Sequence, residues 1–241
     1  MRLALISDIH GNDVAFEAVV ADIESVGVDS VACLGDVVQG GAQPAQVLDR
    51  LRTVGYPTVL GNADDFVLEV PTDSPEPITD VQLQVREWTL EQLTDEHLAQ
   101  MRSFPPTMEL ELDDHRALCF HGSPRSYDDV LLPQLQQSSV EPFQGFDEFD
   151  LLAGGHTHTQ WTRRIGKSIY VNPGAVGLVG DRYEDEEMRL YPLAQYALVV
   201  IDGSGLGVEF RSVRYSVDDV RAAIAASGRP NLERFASEWR D

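Results

Sequence analysis

The first sixty or so residues alternate between short apolar runs and longer segments with helical spacing, and this alternation constrains the fold more than any other feature. In chain order the segments are RLALIS, NDVAFEAVVADIESVG, SVACLG and AQPAQVLDRLRTVG. Such alternation of strand and helix predicts a parallel sheet. The first helix can be capped by Asn12 or by Asp13, and it ends near Gly27. YPTVL then supplies a third strand.

The second half of the chain shows the period of two that is typical of strands. MELELDD and RALCFHG predict a hairpin around Asp113 and Asp114, and further strands are predicted at LLAGG, KSIYVN, YALVVID and GVEFRSVRY. A strand–helix start followed by a strand-rich half predicts two sheets packed face to face with helices outside. SVDDVRAAIAASG, with Ser216 as its cap, and RPNLERFASEWRD predict two final helices.

Between the two halves we predict a helical insertion at about residues 71–106. PTDSPEPIT is an irregular loop, and the segment after it has the spacing of one or two amphipathic helices that Pro105 and Pro106 close. This insertion can lean over the ends of the first strands, with Trp88 as a packing residue. We expect His97 in the insertion and His115 beside a turn to be solvated surface residues.

Length and composition indicate one large domain. The chain has 241 residues, of which 43% are hydrophobic, so we predict a single domain over residues 1–241 with a substantial core. No apolar run approaches the ~20 residues that span a bilayer. The opening MRLALISDIHG lacks a small-residue cleavage site of the secretory kind. We therefore expect a soluble, cytoplasmic protein.

The charge balance is strongly acidic. Lys and Arg number 18 against 40 Asp and Glu, a formal net charge of -22. Such a field repels polyanions unless a metal or a local cluster reverses it, so we expect no general binding of nucleic acid. Cys33 and Cys119 each lie in an apolar run, which favours small buried side chains over a disulfide or a reactive thiol.

Polar side chains follow the predicted strands directly, usually beside a glycine. The set comprises Asp8, His10, Asp36, Asn62, Asp64, His121, His156 and His158. In an α/β sheet the carboxyl ends of neighbouring strands open into one crevice, where ligands bind. Residues two apart in an extended chain point to the same side, so the DIH and HTH pairs can each offer two groups to one place. We therefore expect five segments to converge.

Imidazoles mixed with carboxylates form a nitrogen and oxygen site without sulfur. Such a site suits Mn²⁺, Fe, Zn²⁺, Co²⁺ or Ni²⁺ better than Mg²⁺. Each piece alone has a simpler alternative, because Asp8 or Asp36 can cap a helix and the Gly-Asn-Ala-Asp segment can be an ordinary turn. His121 taken alone is equally consistent with a metal ligand and with a residue that binds no metal. Only the combination of seven ligand-type residues at five strand ends favours a metal site.

The motifs DIHG, GDVVQG, GNAD, FHGSP, GGHTHTQW and VNPGAVG, in this order, resemble those of the calcineurin-like metallophosphoesterase superfamily over residues 1 to about 180. The set is most similar to the small bacterial phosphodiesterase-type branch, and the insertion followed by HGSPR is similar to members labelled diadenosine tetraphosphatase-like. The resemblance implies a four-layer αββα sandwich of two mixed sheets with a two-metal site. A hydroxide bridging the metals would hydrolyse phosphodiester or nucleotide phosphoanhydride bonds.

The resemblance also implies which residues hold the metals. One metal would be held by Asp8, His10, Asp36 and His158, and the other by Asp36, Asn62, His121 and His156. Asp36 would bridge the two ions, for which Mn²⁺ is the first expectation. Two divalent cations would let a protein of charge -22 accept an anionic phosphoester or nucleotide substrate. Arg125 and Arg182 can add substrate contacts, and ordinary surface arginines are the alternative for both.

Ala63 departs from the family pattern. Members with strong phosphomonoesterase activity typically have His between the Asn and the acidic residue of this motif, and that His is thought to protonate the leaving group or to stabilise the transition state. A positioned general acid typically contributes ~10²–10⁴ in rate. We therefore expect little activity on alkyl monoesters and more on aryl or nucleotide diesters or anhydrides. Asp64 remains, either as a carboxylate that orients a ligand His or Asn or as a plain turn residue.

Other functions remain as alternatives at this point. A binding scaffold that keeps the fold without catalysis would tend to lose ligand histidines, and this chain has kept them. A protein phosphatase or phosphomonoesterase is disfavoured by Ala63. The acidic stretch VGDRYEDEEMRLYP is a flap, a solvated loop or a subunit contact, and the oligomeric state is open.

Overall fold

The computed structural model describes residues 1–72, 77–134, 141, 143–182, 188–203 and 205–241, with Arg182 described by its backbone only. The strands are β1 (Arg2–Ile6), β2 (Ser30–Cys33), β3 (Thr107–Leu112), β4 (His115–Phe120), β5 (Leu151–Ala153), β6 (Gln160–Ile165), β7 (Ser168–Pro173), β8 (Gly180–Arg182), β9 (Met188–Leu190), β10 (Leu193–Asp202) and β11 (Gly205–Arg214). The helices are α1 (Asp13–Val26), α2 (Pro44–Val54), α3 (Asn62–Leu68), α4 (Asp80–Gln92), α5 (Asp95–Arg102), α6 (Val217–Ser227) and α7 (Leu232–Glu238).

The first sheet has the order β11-β10-β1-β2, with β1 and β2 parallel and the other pairs antiparallel. The predicted third strand, YPTVL, is wrong, because its one described pairing is an isolated bridge between Thr58 and Cys33. The pairing stops after Val59, and the next amide, Leu60 N, donates to Pro105 O instead. The chain then turns into α3.

The second sheet has the order β3-β4-β5-β7-β6. Its hairpin of β3 and β4 turns at Asp113, which has a φ of 55°, as the sequence predicts. Strands β4, β5 and β7 run parallel, and β6 is antiparallel to β7. Both sheets are therefore mixed, and each has parallel strands whose carboxyl ends can present side chains to one edge.

Apolar side chains from both sheets form the core between them. This core includes Leu3, Leu5, Ala32, Cys119, Val171 and Val199, all fully buried. Helix α1 covers the other face of the first sheet with Phe16 and Val19. Leu131, Phe143 and Phe149 pack against the outer face of the second sheet. The predicted arrangement of two mixed sheets flanked by helices is confirmed, and none of the described helices is long and apolar enough to cross a membrane.

The insertion forms two helices, α4 and α5, as predicted. Trp88 is buried on α4 and packs as expected. The expectation for His97 is wrong, since this residue is 5% exposed and its Nε2 lies 3.1 Å from Asp49 Oδ1. The reason is that α5 packs against α2, and the sequence spacing of α5 alone does not reveal that partner.

The C-terminal segment forms a pair of packed helices, α6 and α7. Ser216 caps α6 as predicted, and its side chain accepts a hydrogen bond from Asp219 N. Ile224 of α6 and Trp239 after α7 share one apolar cluster with Leu190 of β9. Gly228 ends α6, and residues 229–231 connect the two helices.

Candidate metal centre

The predicted ligand residues lie in loops that follow β1, β2, β4 and β5, except for Asn62, which begins α3. Five of them, Asp8, His10, Asp36, His156 and His158, have φ angles between 48° and 70°. This left-handed region is uncommon for non-glycine residues, costs about 1–3 kcal/mol per residue, and is concentrated at functional sites. The expectation that extended alternation brings the DIH and HTH pairs together is therefore wrong. Left-handed turns aim these side chains instead.

Hydrogen bonds tie the ligand-bearing loops to one another. Asp8 N donates to Gly35 O at 3.0 Å, and His10 N donates to Asp36 O at 2.9 Å. His156 N donates to Asp8 Oδ2 at 3.1 Å and so joins the two sheets. These bonds hold the strained turns in place and fix the relative positions of their side chains.

The side chains converge in two groups of three, whose nitrogen and oxygen atoms lie within 4.8 Å of one another within each group. The groups are Asp8, His10 and His158, and Asp36, His121 and His156. Asp36 Oδ2 lies 3.7 Å from His10 Nε2 and 3.2 Å from His121 Nε2. This carboxylate therefore reaches both groups, which is the position a bridging ligand needs.

Three imidazoles are oriented by backbone carbonyls. Their Nδ1 atoms donate to Gln39 O from His10 (2.6 Å), to Leu34 O from His121 (2.7 Å) and to Leu178 O from His158 (2.9 Å). A carbonyl only accepts, so each Nδ1 carries the proton and each Nε2 is left for the centre. Outer hydrogen bonds of this kind fix the tautomer of metal-binding histidines.

Several buried atoms at the centre have no hydrogen-bond partner among the described residues. They are Asn62 Oδ1 and two atoms that make close charged contacts without a hydrogen bond, Asp8 Oδ1 (3.3 Å from His158 Nε2) and His121 Nε2 (3.2 Å from Asp36 Oδ2). An unpaired buried polar atom costs about 1–3 kcal/mol, so such a cluster requires an explanation. Carboxylate, amide and imidazole donors aimed at one space fit divalent transition-metal ions, which would satisfy these atoms. The residues present therefore fit the implied metals.

The two central carboxylates are held in the charged form. Burial alone would raise the pKa of Asp8, but the charges of His158 and His121 outweigh burial and lower it. Burial likewise opposes ionisation of Asp36, and the neighbouring His121 lowers its pKa. Metal binding needs carboxylates in this charged state.

The imidazoles divide into two kinds. Burial lowers the pKa of His10 and of His156, so both imidazoles are neutral near pH 7, the state in which a histidine can bind a metal. Burial would also lower the pKa of His121, but Asp36 and Asp8 overcome it and raise that pKa to about 10. In the metal-free protein His121 therefore holds a proton that a metal has to displace.

Asn62 is the first residue of α3, and a close backbone approach places it beside Asp36. A Cβ atom at Gly61 would lie 2.1 Å from Asp36 Oδ1, so only glycine fits at this position. Ala63 N donates to the same Oδ1 at 2.8 Å. The backbone of the GNAD motif thus orients the central carboxylate, whatever side chain residue 63 carries.

Asp64 is fully buried and accepts hydrogen bonds from backbone amides of two loops. Its Oδ1 accepts from Val37 N at 2.8 Å and Val38 N at 3.3 Å, and its Oδ2 accepts from Gly61 N at 3.3 Å. Burial and the nearby Asp36 raise its pKa to about 7. The described hydrogen bonds of Asp64 therefore go to backbone amides beside the candidate ligands. The sequence suggested instead that Asp64 orients a ligand His or Asn side chain.

Asp64→Asn is expected to weaken metal binding by about 10–100-fold, the usual effect of removing a partner that orients ligands. The amide NH₂ of asparagine would face Gly61 N–H, two donors in a buried space. Calorimetric titration with Mn²⁺ measures the change. Asp65→Asn, one residue further on the same helix, is the control, and equal affinity of both variants and the unaltered protein contradicts the role given to Asp64.

Asn172 supports the centre and was not identified from the sequence as a site residue. It is fully buried, and its Nδ2 donates to Gly155 O at 2.6 Å and to Thr157 Oγ1 at 3.1 Å. It therefore holds the loop that carries His156 and His158. Asn172 belongs to the VNPGAVG motif, which marks the segment in the sequence but does not indicate what this side chain contacts.

The two arginines suggested for substrate contacts gain no support. Arg125 is exposed, and its Nη2 donates to Gln144 O at 3.1 Å. It is not among the described residues that line the cavity beside the centre. The Arg182 side chain and residues 183–187 of the acidic stretch lie outside the described part of the chain.

A cavity of about 410 Å³ adjoins the candidate centre, since His10 and Asn62 both line it. Its apolar wall consists of Phe66, Ile78, Val81 and Val85, the last two on α4. Val81 is 44% exposed, unusually open for such a side chain. Ala63 faces the same space. The helical insertion thus lies beside the ligand loops, as the sequence suggested.

Aspartate, histidine and asparagine side chains gathered at the strand ends of a double-sheet fold are the arrangement expected of a metal-dependent hydrolase. The chain belongs to the calcineurin-like phosphoesterase superfamily, whose domain model matches residues 1–203. It is a metallophosphoesterase enzyme.

Relatives agree with this assignment. The chain is 26% identical over 188 residues to the phosphodiesterase YfcE of Escherichia coli, covering 74% of this chain and 80% of YfcE. It is 27% identical over 182 residues to an uncharacterized protein of Methanocaldococcus jannaschii, covering 75% and 72% of the two chains. A metallophosphoesterase structure from Sphaerobacter thermophilus matches with a TM-score of 0.73 at 28% identity, over 99% of this chain and 100% of that one. A hypothetical protein from Pyrococcus horikoshii has the same fold, with a TM-score of 0.82 at 19% identity over 98% and 97% of the chains.

Proposed function

We propose that this enzyme hydrolyses phosphodiester or nucleotide phosphoanhydride bonds with two divalent metal ions. The observation that carries the proposal is the pair of Asp and His groups with Asp36 Oδ2 within 3.7 Å of an imidazole of each. The phosphodiesterase YfcE, a relative over 80% of its length, supports the reaction class. Small-molecule phosphoesters are the proposed substrates.

The ligand sets follow the two groups. Asp8, His10, Asp36 and His158 would hold one ion, and Asp36, Asn62, His121 and His156 the other. Ions bound there would supply a nucleophilic water near neutral pH and would neutralise charge on the phosphoryl oxygens. Manganese is the first candidate, because mixed carboxylate and imidazole ligands suit it.

The protein's own part in the reaction is orientation. Backbone carbonyls fix the His10, His121 and His158 rings, and Ala63 N and the α3 terminus orient Asp36 and Asn62. The ligand geometry is therefore set before substrate binds, which lowers the reorganisation needed in the transition state.

The cavity and Ala63 together favour a particular kind of substrate. Residue 63 offers no proton donor to a leaving group, so good leaving groups are preferred. The apolar wall of Phe66, Val81 and Val85 can accept an aryl group or a nucleobase. Aryl and nucleotide diesters and anhydrides satisfy both conditions.

The rival hypothesis is a catalytically weak or inactive binding scaffold. Metal content distinguishes this hypothesis from the proposed enzyme, because a scaffold does not require stoichiometric metal. The four histidines and two carboxylates are all aimed inward here, which favours the enzyme. A protein phosphatase is disfavoured by Ala63, and hydrolysis of a phosphopeptide would revive it.

The experiment is hydrolysis of bis-p-nitrophenyl phosphate with and without Mn²⁺. We expect activity that is lost with a chelator, returns with Mn²⁺, and falls by about 10²-fold or more in His121→Ala, because one ligand of the centre is gone. His115→Ala removes an imidazole from β4 six residues earlier and is the control. Chelator-resistant activity, or full activity in His121→Ala, rejects the mechanism.

A further inference from the structure

The connection between α6 and α7 places a buried cation at the cavity beside the centre. Arg229 is 9% exposed and lines this cavity together with His10, Gly40 and Leu178. It lies beyond residues 1–203, the part matched by the family model. Among the described residues that line the cavity, it is the one Arg or Lys.

Arg229 is anchored close to the carbonyls that orient two ligand histidines. Its Nε donates to Gly40 O at 3.0 Å, and its Nη1 donates to Pro230 O at 3.0 Å. Gly40 follows Gln39, whose carbonyl accepts from His10, and Leu178 accepts from His158 through its own carbonyl. The guanidinium is thus fixed beside the ligand loops on the cavity side.

Among the described residues no carboxylate lies within 4.0 Å of the Arg229 guanidinium, although the charge of Glu238 acts on it from further away. The guanidinium rests over the Phe235 ring at 4.0 Å from its centroid. Burial lowers its pKa to about 10, which leaves it charged at neutral pH. A buried charge that makes no close ion pair is unfavourable, and a bound anion would compensate it. Its Nη2 has no hydrogen bond to a described residue.

We propose that Arg229 binds a phosphate oxygen of the substrate in the cavity beside the metal centre. This inference rests on the proposed function, and it names the residue that supplies the protein's own cation. Two carboxylates, Asp65 and Asp128, also line the cavity, and Asp65 Oδ2 accepts from Tyr127 Oη at 2.7 Å. In a protein of charge -22, an anion entering this space is stabilised by a local cation in addition to the proposed metals, and a guanidinium matches phosphate geometry.

The test compares Arg229→Gln with Arg229→Lys and with Arg234→Gln. Arg234→Gln is the control, because the Arg234 side chain is 80% exposed on α7 and this substitution also removes one positive charge from the C-terminal segment. For Arg229→Gln we expect the KM for bis-p-nitrophenyl phosphate and the Kd for inorganic phosphate, by calorimetry on metal-loaded protein, to rise about 10–100-fold, the range of a charge-assisted hydrogen bond. We expect kcat to change much less, and Arg229→Lys to recover part of the phosphate affinity.

A structural role alone predicts another outcome. The melting temperature and metal content would then fall in both Arg229 variants, and the phosphate Kd of folded, metal-loaded protein would stay within about twofold of the unaltered value, which overturns the inference. If Arg229→Gln does not fold, the Arg229 side-chain NMR resonances of the unaltered zinc-loaded protein decide, because they must shift when inorganic phosphate binds. Wild-type protein that binds phosphate without hydrolysing the diester rejects the proposed function and leaves the Arg229 comparison valid.

Discussion

Asp36→Asn is expected to lower kcat/KM for bis-p-nitrophenyl phosphate by about 10³-fold or more. Asp36 Oδ2 lies 3.2 Å from His121 Nε2 and 3.7 Å from His10 Nε2, so one substitution weakens both candidate ion sites. Loss of several kcal/mol of transition-state stabilisation corresponds to this factor. Asparagine keeps the shape and still accepts from Ala63 N, so the fold is expected to survive.

Metal analysis separates this prediction from simple misfolding. We expect the bound Mn²⁺ of Asp36→Asn to fall clearly below two ions per chain while the melting temperature of the metal-free protein stays close to the unaltered value. Asp218→Asn on α6, whose side chain is 90% exposed, is the charge-matched control. Two tightly bound ions and full activity in Asp36→Asn would show that this carboxylate does not join the two groups.

Ala63→His is expected to raise kcat/KM for an alkyl phosphomonoester by about 10–100-fold. A positioned general acid contributes ~10²–10⁴, and an introduced imidazole gains part of that range. The position is suitable, because Ala63 lines the cavity beside His10 and Asn62, and its backbone N–H already contacts Asp36. The gain arises from protonation of a leaving group that otherwise departs as an alkoxide.

The ratio of alkyl to aryl substrates tests this explanation. We expect little change for bis-p-nitrophenyl phosphate, whose leaving group needs no proton, so the alkyl-to-aryl ratio rises. Ala63→Gln adds similar bulk without an ionisable ring and is expected to leave the ratio unchanged. An equal rise in Ala63→Gln, or no rise in Ala63→His with metal still bound, contradicts the role assigned to the missing imidazole.

The sheet architecture and the convergence of polar residues were predictable from the sequence. Asp8, Asp36 and His121 each follow an apolar run directly in the sequence, so each can be placed at a strand end. Side chains at the carboxyl ends of neighbouring strands share one crevice, which predicts that they converge. The turn geometry was not predictable in this way, because left-handed φ angles at Asp8 and His156 depend on hydrogen bonds between distant loops. The partners of the histidines are backbone carbonyls, which every residue has and no sequence pattern marks.

Two other features needed tertiary information. His97 is buried because α2 supplies Asp49, 48 positions away in the chain. Arg229 reaches the cavity because the pair α6 and α7 packs across the ligand loops, a contact with a separation of 189 residues to Gly40. The cation nearest to the motifs in the sequence is Arg125, which is not among the described residues that line the cavity.

Selection for stability and selection for activity favour different residues at the left-handed positions, which are Asp8, His10, Asp36, His156 and His158. Glycine adopts this conformation without strain, so glycine at a position such as His156, whose backbone N–H rather than its side chain makes the bond to Asp8, relieves about 1–3 kcal/mol of local strain in the metal-free chain. The same exchange deletes a candidate ligand. A screen that selects variants by thermal stability alone would therefore favour glycine here and would not detect the loss of activity. These positions have to be kept unchanged when this enzyme is engineered.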